Sequence, residues 1–218
     1  MKLFLATSNY VVKGIVRENL KKIYPGVEVF DVLNDEDFMY HLECKDEIIF
    51  LIEKFFLGLC IQEKLTCLKA VNKNIRFVFF ETGEVCAEFF GLRVYKLGAA
   101  GFISNADNKE LLIRALKKIL SWETYFPEDV DKGIKSGVHL HSRAVGELTD
   151  SEFSIAVLLA TGMSPKEIGF EMSLSDKGVY SHIYWLRRKI GWHNPEDYAE
   201  VYKQMLARDM GGWIGCKN

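Results

Sequence analysis

The sequence has no apolar run long enough to cross a membrane. Its mean hydropathy is close to zero, and no segment approaches the ~18 consecutive apolar residues of a membrane span. The amino terminus, MKLFLATSNYVVKG, is apolar only briefly, and a basic, helix-like segment follows it. We therefore expect neither a signal peptide nor a membrane anchor, and we expect a cytoplasmic protein.

The cysteines form no disulfide pattern, and positive charge is not in excess. The five cysteines are scattered and odd in number, with no CxxC pair. This distribution favours reduced thiols over a disulfide framework. Net charge is −2, and residues 147–218 carry 8 Lys and Arg against 10 Asp and Glu. Any binding of nucleic acid must therefore use a local basic face rather than the charge of the whole chain.

Common enzyme and metal motifs are also missing. The sequence contains no GxGxxG, Walker, GxSxG or zinc-ligand spacing. His139 and His141 are close enough to suggest a metal site, but they have no identifiable further ligand, and a solvated linker is the expected setting. The sequence thus predicts neither an enzyme nor a bound cofactor or metal.

Up to about Ser121, short apolar runs alternate with helical patterns. The predicted strands are Lys2–Ala6, Val27–Val32, Glu47–Ile52, Ile75–Phe80 and Gly101–Ile103. The predicted helices are Tyr10–Ile23, Asp35–Cys44, Ile61–Val71, Glu84–Leu97 and Asn108–Ser121. The runs IIFLI and FVFF are continuously apolar, which is typical of strands buried on both faces. The alternation predicts an α/β domain with a five-stranded parallel sheet and helices on both sides.

A polar segment separates this region from a second, helical one. Tyr125–Glu147 contains Pro127 and several glycines and lacks clear periodicity, which predicts a linker. The predicted division is an α/β domain over residues 1–122, a linker over 123–147 and an all-α domain over 148–218.

Four helix-start signals follow Glu147. TDSE at Thr149 and SPKE at Ser164 are capping boxes, in which a hydroxyl residue precedes a glutamate by three positions. Ser175 begins a third helix, and Asn194 begins a fourth. Only the sequence SLS separates the second helix from the third, which predicts a helix-turn-helix unit.

The third of these helices has two different faces. At about 100° per residue, four apolar residues cluster on the face expected in the core: Val179, Ile183, Leu186 and Ile190. The opposite side carries cations, hydroxyls and aromatic rings, which suit phosphates and base edges. We therefore predict these DNA-binding residues: Lys166, Lys177, Tyr180, Ser181, Tyr184, Arg187, Arg188 and Lys189. From geometry alone, a helical bundle whose exposed face happens to be basic remains the alternative.

Residues 148–207 resemble the C-terminal DNA-binding domain of the LuxR/NarL family of bacterial transcription regulators. The matching residues are Leu148, Thr149, Glu152, Gly162, Ser164, Lys166, Glu167, Ile168, Ser175, Lys177, Val179, His182, Arg188, Lys189, Ile190 and Gly191. The resemblance implies that Lys177 to Tyr184 enter the major groove and that the helix after Asn194 forms a dimer contact. Gly178 departs from the threonine usual in the family.

Residues 1–122 resemble the receiver domain of two-component response regulators, a flavodoxin-like fold. The specific similarity is KLGAAGFIS, Lys96–Ser104, which resembles the entry to the fifth receiver strand. It places Phe102 at the aromatic switch position of the family.

The phosphoryl-transfer residues of a receiver are replaced in this sequence. The resemblance implies acids after the first strand, an aspartate ending the third, a hydroxyl after the fourth and a lysine after the fifth. The corresponding residues here are, in that order, Thr7 and Ser8, Ile52 or the adjacent Glu53, Glu81, and Asn105. Mg²⁺ prefers oxygen ligands, usually carboxylates, so we predict a degenerate pocket that accepts no phosphoryl group. We expect Glu53 and Glu81 to be solvated loop residues rather than to share a cation.

The resulting interpretation is a sequence-specific transcription regulator. It binds double-stranded DNA as a homodimer and acts without aspartate phosphorylation. Two alternatives remain open: a conventional phosphorylated response regulator whose acceptor lies elsewhere, and an auxiliary regulator that acts by pairing with another protein.

Overall fold

A computed structural model describes residues 2–34, 37, 47–82, 88–106, 108–136 and 147–191. Five strands form one sheet: β1 (Lys2–Ala6), β2 (Glu28–Val32), β3 (Ile48–Glu53), β4 (Ile75–Phe80) and β5 (Gly101–Ile103). Their order is β2-β1-β3-β4-β5, and every neighbouring pair is parallel. The predicted five-stranded parallel sheet is therefore confirmed.

Helices cover both faces of this sheet. They are α1 (Tyr10–Ile23), α2 (Ile61–Val71), α3 (Glu88–Lys96) and α4 (Lys109–Leu120). Apolar residues of α1 and α4 share one buried cluster, and those of α2 and α3 share the other. The helix predicted over residues 35–44 lies almost entirely outside the described residues.

A row of phenylalanines crosses the face of the sheet that α2 and α3 cover. Phe4 of β1 stacks on Phe30 of β2 with ring centroids 5.2 Å apart and on Phe50 of β3 at 5.1 Å. Phe50 in turn stacks on Phe77 of β4 at 5.9 Å. The strand register places these residues directly opposite one another, so the ring pairs stabilise the pairing as cross-strand contacts.

The segment predicted as a linker contains a helix, α5 (Glu128–Ser136). Val130 is fully buried against the α3 side of the sheet, and Ile134 packs on the same cluster. The exposed side carries two ion pairs between residues four apart, Glu128–Lys132 and Asp131–Lys135. A short helix with so few apolar residues leaves no clear periodicity, which is why the sequence did not predict it.

Three more helices follow: α6 (Asp150–Ala160), α7 (Pro165–Glu171) and α8 (Asp176–Ile190). Both predicted capping boxes are confirmed, with Thr149 and Ser164 as the capping residues. Among the described helices, none combines the length and apolar character that crossing a membrane requires. The helix predicted after Asn194 and the two histidines considered as metal ligands, His139 and His141, lie outside the described residues.

Two helical glycines have opposite surroundings, which gives a test of the packing. A Cβ on Gly91 of α3 would lie 2.6 Å from Val130 Cγ2 and 2.8 Å from Phe102 Cδ1, whereas a Cβ on Gly14 of α1 would meet nothing within 4 Å. We expect Gly91→Ala to lower the free energy of unfolding by about 1–3 kcal/mol through overpacking. Gly14→Ala should raise it by about 0.5–1 kcal/mol, because alanine loses less backbone entropy. Chemical denaturation measures both, and a Gly91→Ala protein as stable as the wild type would contradict the packing of α3 against α5.

Candidate nucleic-acid interface and strand-end pocket

A tight turn joins α7 to α8. The N–H of Leu174 donates to the carbonyl of Gly169 at 2.8 Å, and a Cβ on Gly169 would lie only 2.9 Å from the carbonyl oxygen of Leu174. Ser175 then starts α8, its hydroxyl accepting the N–H of Gly178 at 3.2 Å. The residues between the two helices thus have the geometry of a helix-turn-helix.

The inner face of α8 is buried as the sequence predicts. Its four apolar residues are all inaccessible or nearly so: Val179, Ile183, Leu186 and Ile190. Val179 and Ile183 pack with Ile168 of α7 and with Ile155 of α6. The core of this region therefore fixes which side of α8 faces outward.

The outward side of α8 carries most of the predicted DNA-binding residues, and Lys166 lies on the neighbouring α7. Tyr180 and Tyr184 are 60% and 55% exposed, although their rings are large and partly apolar. The other predicted residues are exposed as well: Lys166, Lys177, Ser181, Arg187, Arg188 and Lys189. Rings, hydroxyls and cations are thus available together on one surface, and we call the outward side of α8 the reading face.

Trp185 belongs to this surface, although it is not among the residues predicted from the sequence. Its ring is 48% exposed and lies edge-on to Tyr184, with centroids 5.4 Å apart. The guanidinium of Arg188 lies 5.4 Å from the Trp185 centroid and 5.8 Å from the Tyr184 centroid. At about 100° per residue, Trp185 lies about 50° from the centre of the face opposite the core, nearer than Arg187. The helical period alone would have included it.

Lys189 differs from the other cations of α8. Its ammonium lies 2.6 Å from Oε2 of Glu152, whose side chain is buried. The same Oε2 accepts the N–H of Thr149 at 2.8 Å in the capping box of α6. Lys189 therefore has a structural role in joining α8 to the start of α6, and no local sequence pattern indicates this contact. Its predicted role on DNA stays a prediction.

The Glu152 contacts make the stability of the helical region depend on pH. Burial raises the pKa of Glu152, but the bonds from Lys189 and Thr149 lower it by more than burial raises it. The pKa of Glu152 therefore lies below that of an ordinary glutamate. A carboxyl with a lowered pKa in the folded state stabilises the fold above its unfolded pKa, about 4.3. That contribution is lost as the pH falls through the lower folded-state value.

We expect Glu152→Gln to remove part of this acid sensitivity. The variant should be less stable than the wild type at neutral pH, and the difference should shrink as the pH falls below about 4. Glu167→Gln is the matched comparison: Glu167 is the capping-box acid of α7, and its pKa is lowered by Ser164 without an ion pair. Its deficit at neutral pH should therefore be the smaller of the two. Denaturation midpoints across the pH range measure the effect. A Glu152→Gln deficit that stays constant with pH would contradict it.

The carboxyl ends of the strands form the pocket predicted from the receiver resemblance. Thr7, after β1, donates its hydroxyl to Oε2 of Glu53 at 2.5 Å. Lys54 Nζ lies 2.8 Å from Oε2 of Glu81, and these two side chains are only 13% and 7% exposed. The expectation that both glutamates are solvated loop residues was wrong. Glu53 is the last residue of β3, and the ammonium of Lys54 makes it possible to bury Glu81.

The other three residues predicted for the pocket, Ser8, Ile52 and Asn105, have different surroundings. Ile52 is fully buried in the sheet, so Glu53 is the side chain at the end of β3 that reaches the pocket. Ser8 is exposed, and Asn105 adopts a left-handed conformation with φ of 52°. Within the described part of the chain, no cluster of three or more His, Cys, Asp or Glu side chains is placed to hold a metal ion.

Comparison with known proteins shows relatives of both parts of the chain. Residues 146–201 match the GerE family model, bacterial regulatory proteins of the luxR family. The Fimbriae Z protein of Escherichia coli is 31% identical over 140 residues, which cover 62% of this chain and 66% of that protein. The transcription regulator BvgA of Bordetella pertussis is 33% identical over 130 residues, 59% of this chain and 61% of that protein. The chain thus spans just under two thirds of the length of these curated relatives.

Solved structures of the response regulator RcsB have the same fold. RcsB from Salmonella enterica serovar Typhimurium, bound to promoter rprA in the presence of phosphomimetic BeF3−, has a TM-score of 0.63 at 18% identity. The match covers 93% of this chain and 98% of that one. The isolated REC domain of RcsB has a TM-score of 0.51 and covers 62% of this chain. The C-terminal part of the chain, residues 146–201, is thus similar to the luxR family of bacterial regulatory proteins.

Proposed function

We propose that the protein is a transcription regulator that binds double-stranded DNA through α8. The observation that carries this proposal is the composition of the reading face, where exposed tyrosines stand among exposed cations. BvgA, a relative by sequence, is a transcription regulator, and RcsB, a relative by fold, has been solved on promoter DNA. Such a regulator would act in the cytoplasm.

The side chains of the reading face suit different parts of DNA. Lys177 and Arg188, together with Lys166 of the neighbouring α7, supply positive charge for phosphates, which position a protein on DNA. Tyr180, Ser181 and Tyr184 supply hydroxyls and flat apolar surface for base edges. Arg188 is held by two rings and donates from Nη1 to the Tyr184 hydroxyl at 3.4 Å. Its guanidinium is thus already oriented, so binding costs less side-chain entropy.

The proposal includes a homodimer on a near-palindromic site. A two-fold dimer presents two copies of α8 to successive half-sites, and the DNA sequence then shares the symmetry of the protein. An RcsB structure holds dimers of that protein on DNA. We divide each subunit into the receiver-like domain over residues 1–122 and the DNA-binding domain over residues 148–218.

Substitutions on the two sides of α8 should separate DNA binding from folding. Tyr184→Ala should leave the melting temperature unchanged and cost roughly 1–3 kcal/mol of preference for the specific site, because a base contact is lost. Leu186→Ala should lower the free energy of unfolding by about 2–5 kcal/mol, because its side chain is fully buried. Arg188→Ala should weaken binding to every sequence and reduce the salt slope by about one.

Thermal melts and DNA titrations at several salt concentrations measure these effects, on a site found by genome-wide footprinting. A Tyr184→Ala protein that unfolds, or that binds the site as tightly as the wild type, would show that the reading face is assigned wrongly. Trp185→Ala should resemble Arg188→Ala in its loss of affinity, since the ring orients that guanidinium.

We also propose that the regulator acts without phosphorylation of the strand-end pocket. Two contacts support this: the hydroxyl of Thr7 already bonds Glu53, and the ammonium of Lys54 already neutralises Glu81. A phosphoryl group on Glu53 would displace the first contact. A divalent cation would meet the charge of Lys54, which repels it. The pocket is thus satisfied by its own side chains.

A conventional phosphorylated regulator is the second candidate, because RcsB has been solved with a phosphomimetic group. Incubation with acetyl phosphate and Mg²⁺ distinguishes the two. We expect no phosphoryl adduct by mass spectrometry and no change of oligomeric state with beryllofluoride, since no aspartate stands at the end of β3. A stoichiometric, Mg²⁺-dependent adduct on any residue would establish phosphorylation instead.

A further inference from the structure

Arg93 of α3 is a buried cation whose partners come from the C-terminal helices. Its side chain is fully inaccessible to solvent. Nη1 donates to the carbonyl oxygen of Leu148 at 2.6 Å, and Nη2 binds Oδ1 of Asp150. The guanidinium also lies over the ring of Phe153, 4.4 Å from its centroid. An arginine of the α/β domain is thus enclosed by the first turns of the DNA-binding domain.

Asp150 carries the contact to a second helix of the α/β domain. Its carboxylate oxygens accept the backbone N–H groups of Gln62 at 3.1 Å and Glu63 at 3.0 Å, at the start of α2. A carboxylate at this place satisfies N–H groups that have no partner within the helix and is favoured by the helix dipole. The side chain of Asp150 therefore connects α6 to both α2 and α3.

The bonds of Asp150 are not needed to start its own helix. The capping box of α6 is complete without it, because Thr149 and Glu152 bond each other's backbone N–H groups. Asp150 in contrast directs both of its oxygens to α2 and Arg93. A substitution at this position should thus leave α6 intact, which allows an experiment on the contact alone.

The apolar surroundings extend the contact to the DNA-reading helix. The buried cluster around α2 and α3 continues into the C-terminal helices through these residues: Leu148, Phe153, Ala156, Val157, Leu186 and Ile190. The last two lie on the inner side of α8. Tyr180 and Tyr184, on its outer side, remain exposed in the same arrangement. The contact thus fixes α8 from behind and leaves the reading face open.

We propose that Arg93 and Asp150 are positioning residues that hold α8 in one orientation relative to the α/β domain, with the reading face accessible. The structural part of this proposal stands on the contacts above, and its consequence for DNA rests on the proposed function. Burial lowers the pKa of Arg93 and the charge of Asp150 opposes that shift. Without Asp150 a buried guanidinium would be uncompensated, which strongly destabilises the packing of the C-terminal helices against α2 and α3.

The first experiment uses the full-length protein without DNA. In Asp150→Ala we expect the amides of Gln62 and Glu63 to exchange with solvent about tenfold faster, because each loses a charge-assisted bond. Amide relaxation by NMR should then show residues 147–191 tumbling separately from residues 2–136, which tumble together with them in the wild type. Asp129→Ala is the matched control, since Asp129 is an exposed acid in the first turn of α5. It should change neither readout, and Asp150→Glu should restore much of the coupling.

Faster exchange with unchanged joint tumbling would overturn the proposal, since Asp150 would then be only a cap for α2. Unchanged exchange and tumbling would overturn it too. Arg93→Met keeps most of the side-chain volume and provides a second test. Its effect on tumbling should not add to that of Asp150→Ala, because both remove the same contact.

The second experiment measures the consequence for DNA. Asp150→Ala should bind a DNA with one half-site like the wild type, but should lose discrimination between two-site DNAs that differ in half-site spacing. An increase in affinity for all these DNAs would overturn the positioning role and show a restraint on binding instead. If the wild type binds no DNA, the proposed function fails, whereas the exchange and tumbling results still decide whether the contact holds the domains together.

Discussion

The stacking of phenylalanines across the sheet is the interaction on which most of the molecule depends. Phe30, Phe4, Phe50 and Phe77 come from four neighbouring strands and form one continuous row. Because β1, β3 and β4 are almost entirely buried, the polar side chains of these three strands lie at or near their ends. The strand-end pocket and the contact around Arg93 both lie at the margins of this apolar layer, where charges meet partners from other elements.

At each of three sites described above, a buried charged side chain lies against a side chain of opposite charge. Lys54 faces Glu81 in the pocket, and Arg93 faces Asp150 between the two halves of the chain. Lys189 faces Glu152 inside the helical region. Such pairs contribute little net stability when compared with apolar packing, but they are costly to break from one side. They therefore specify a single arrangement of the elements more than they strengthen it.

The sequence predicted the elements whose signals are local. Strand and helix periods, the capping boxes at Thr149 and Ser164, and the buried face of α8 all depend on neighbours within a few residues. Contacts between distant residues left no such signal. The two bonds from α2 to Asp150 join residues that are 88 and 87 positions apart. The sequence pattern around Asp150 indicates only the start of a helix. The pocket glutamates were misjudged for the same reason, because the burial of Glu81 depends on Lys54, 27 residues away.

The two sides of α8 have separate tasks, and this bears on how the protein can change during evolution. Tyr184, Trp185 and Arg188 contact one another on the outer side. The inner side packs in the core, and Lys189 joins the helix to Glu152 of α6. Substitutions on the outer side thus have little effect on folding, since exposed positions away from caps and buried networks are nearly neutral for stability. Under the proposed function, related proteins could therefore acquire new DNA targets through single substitutions on this side, without compensating changes in the core.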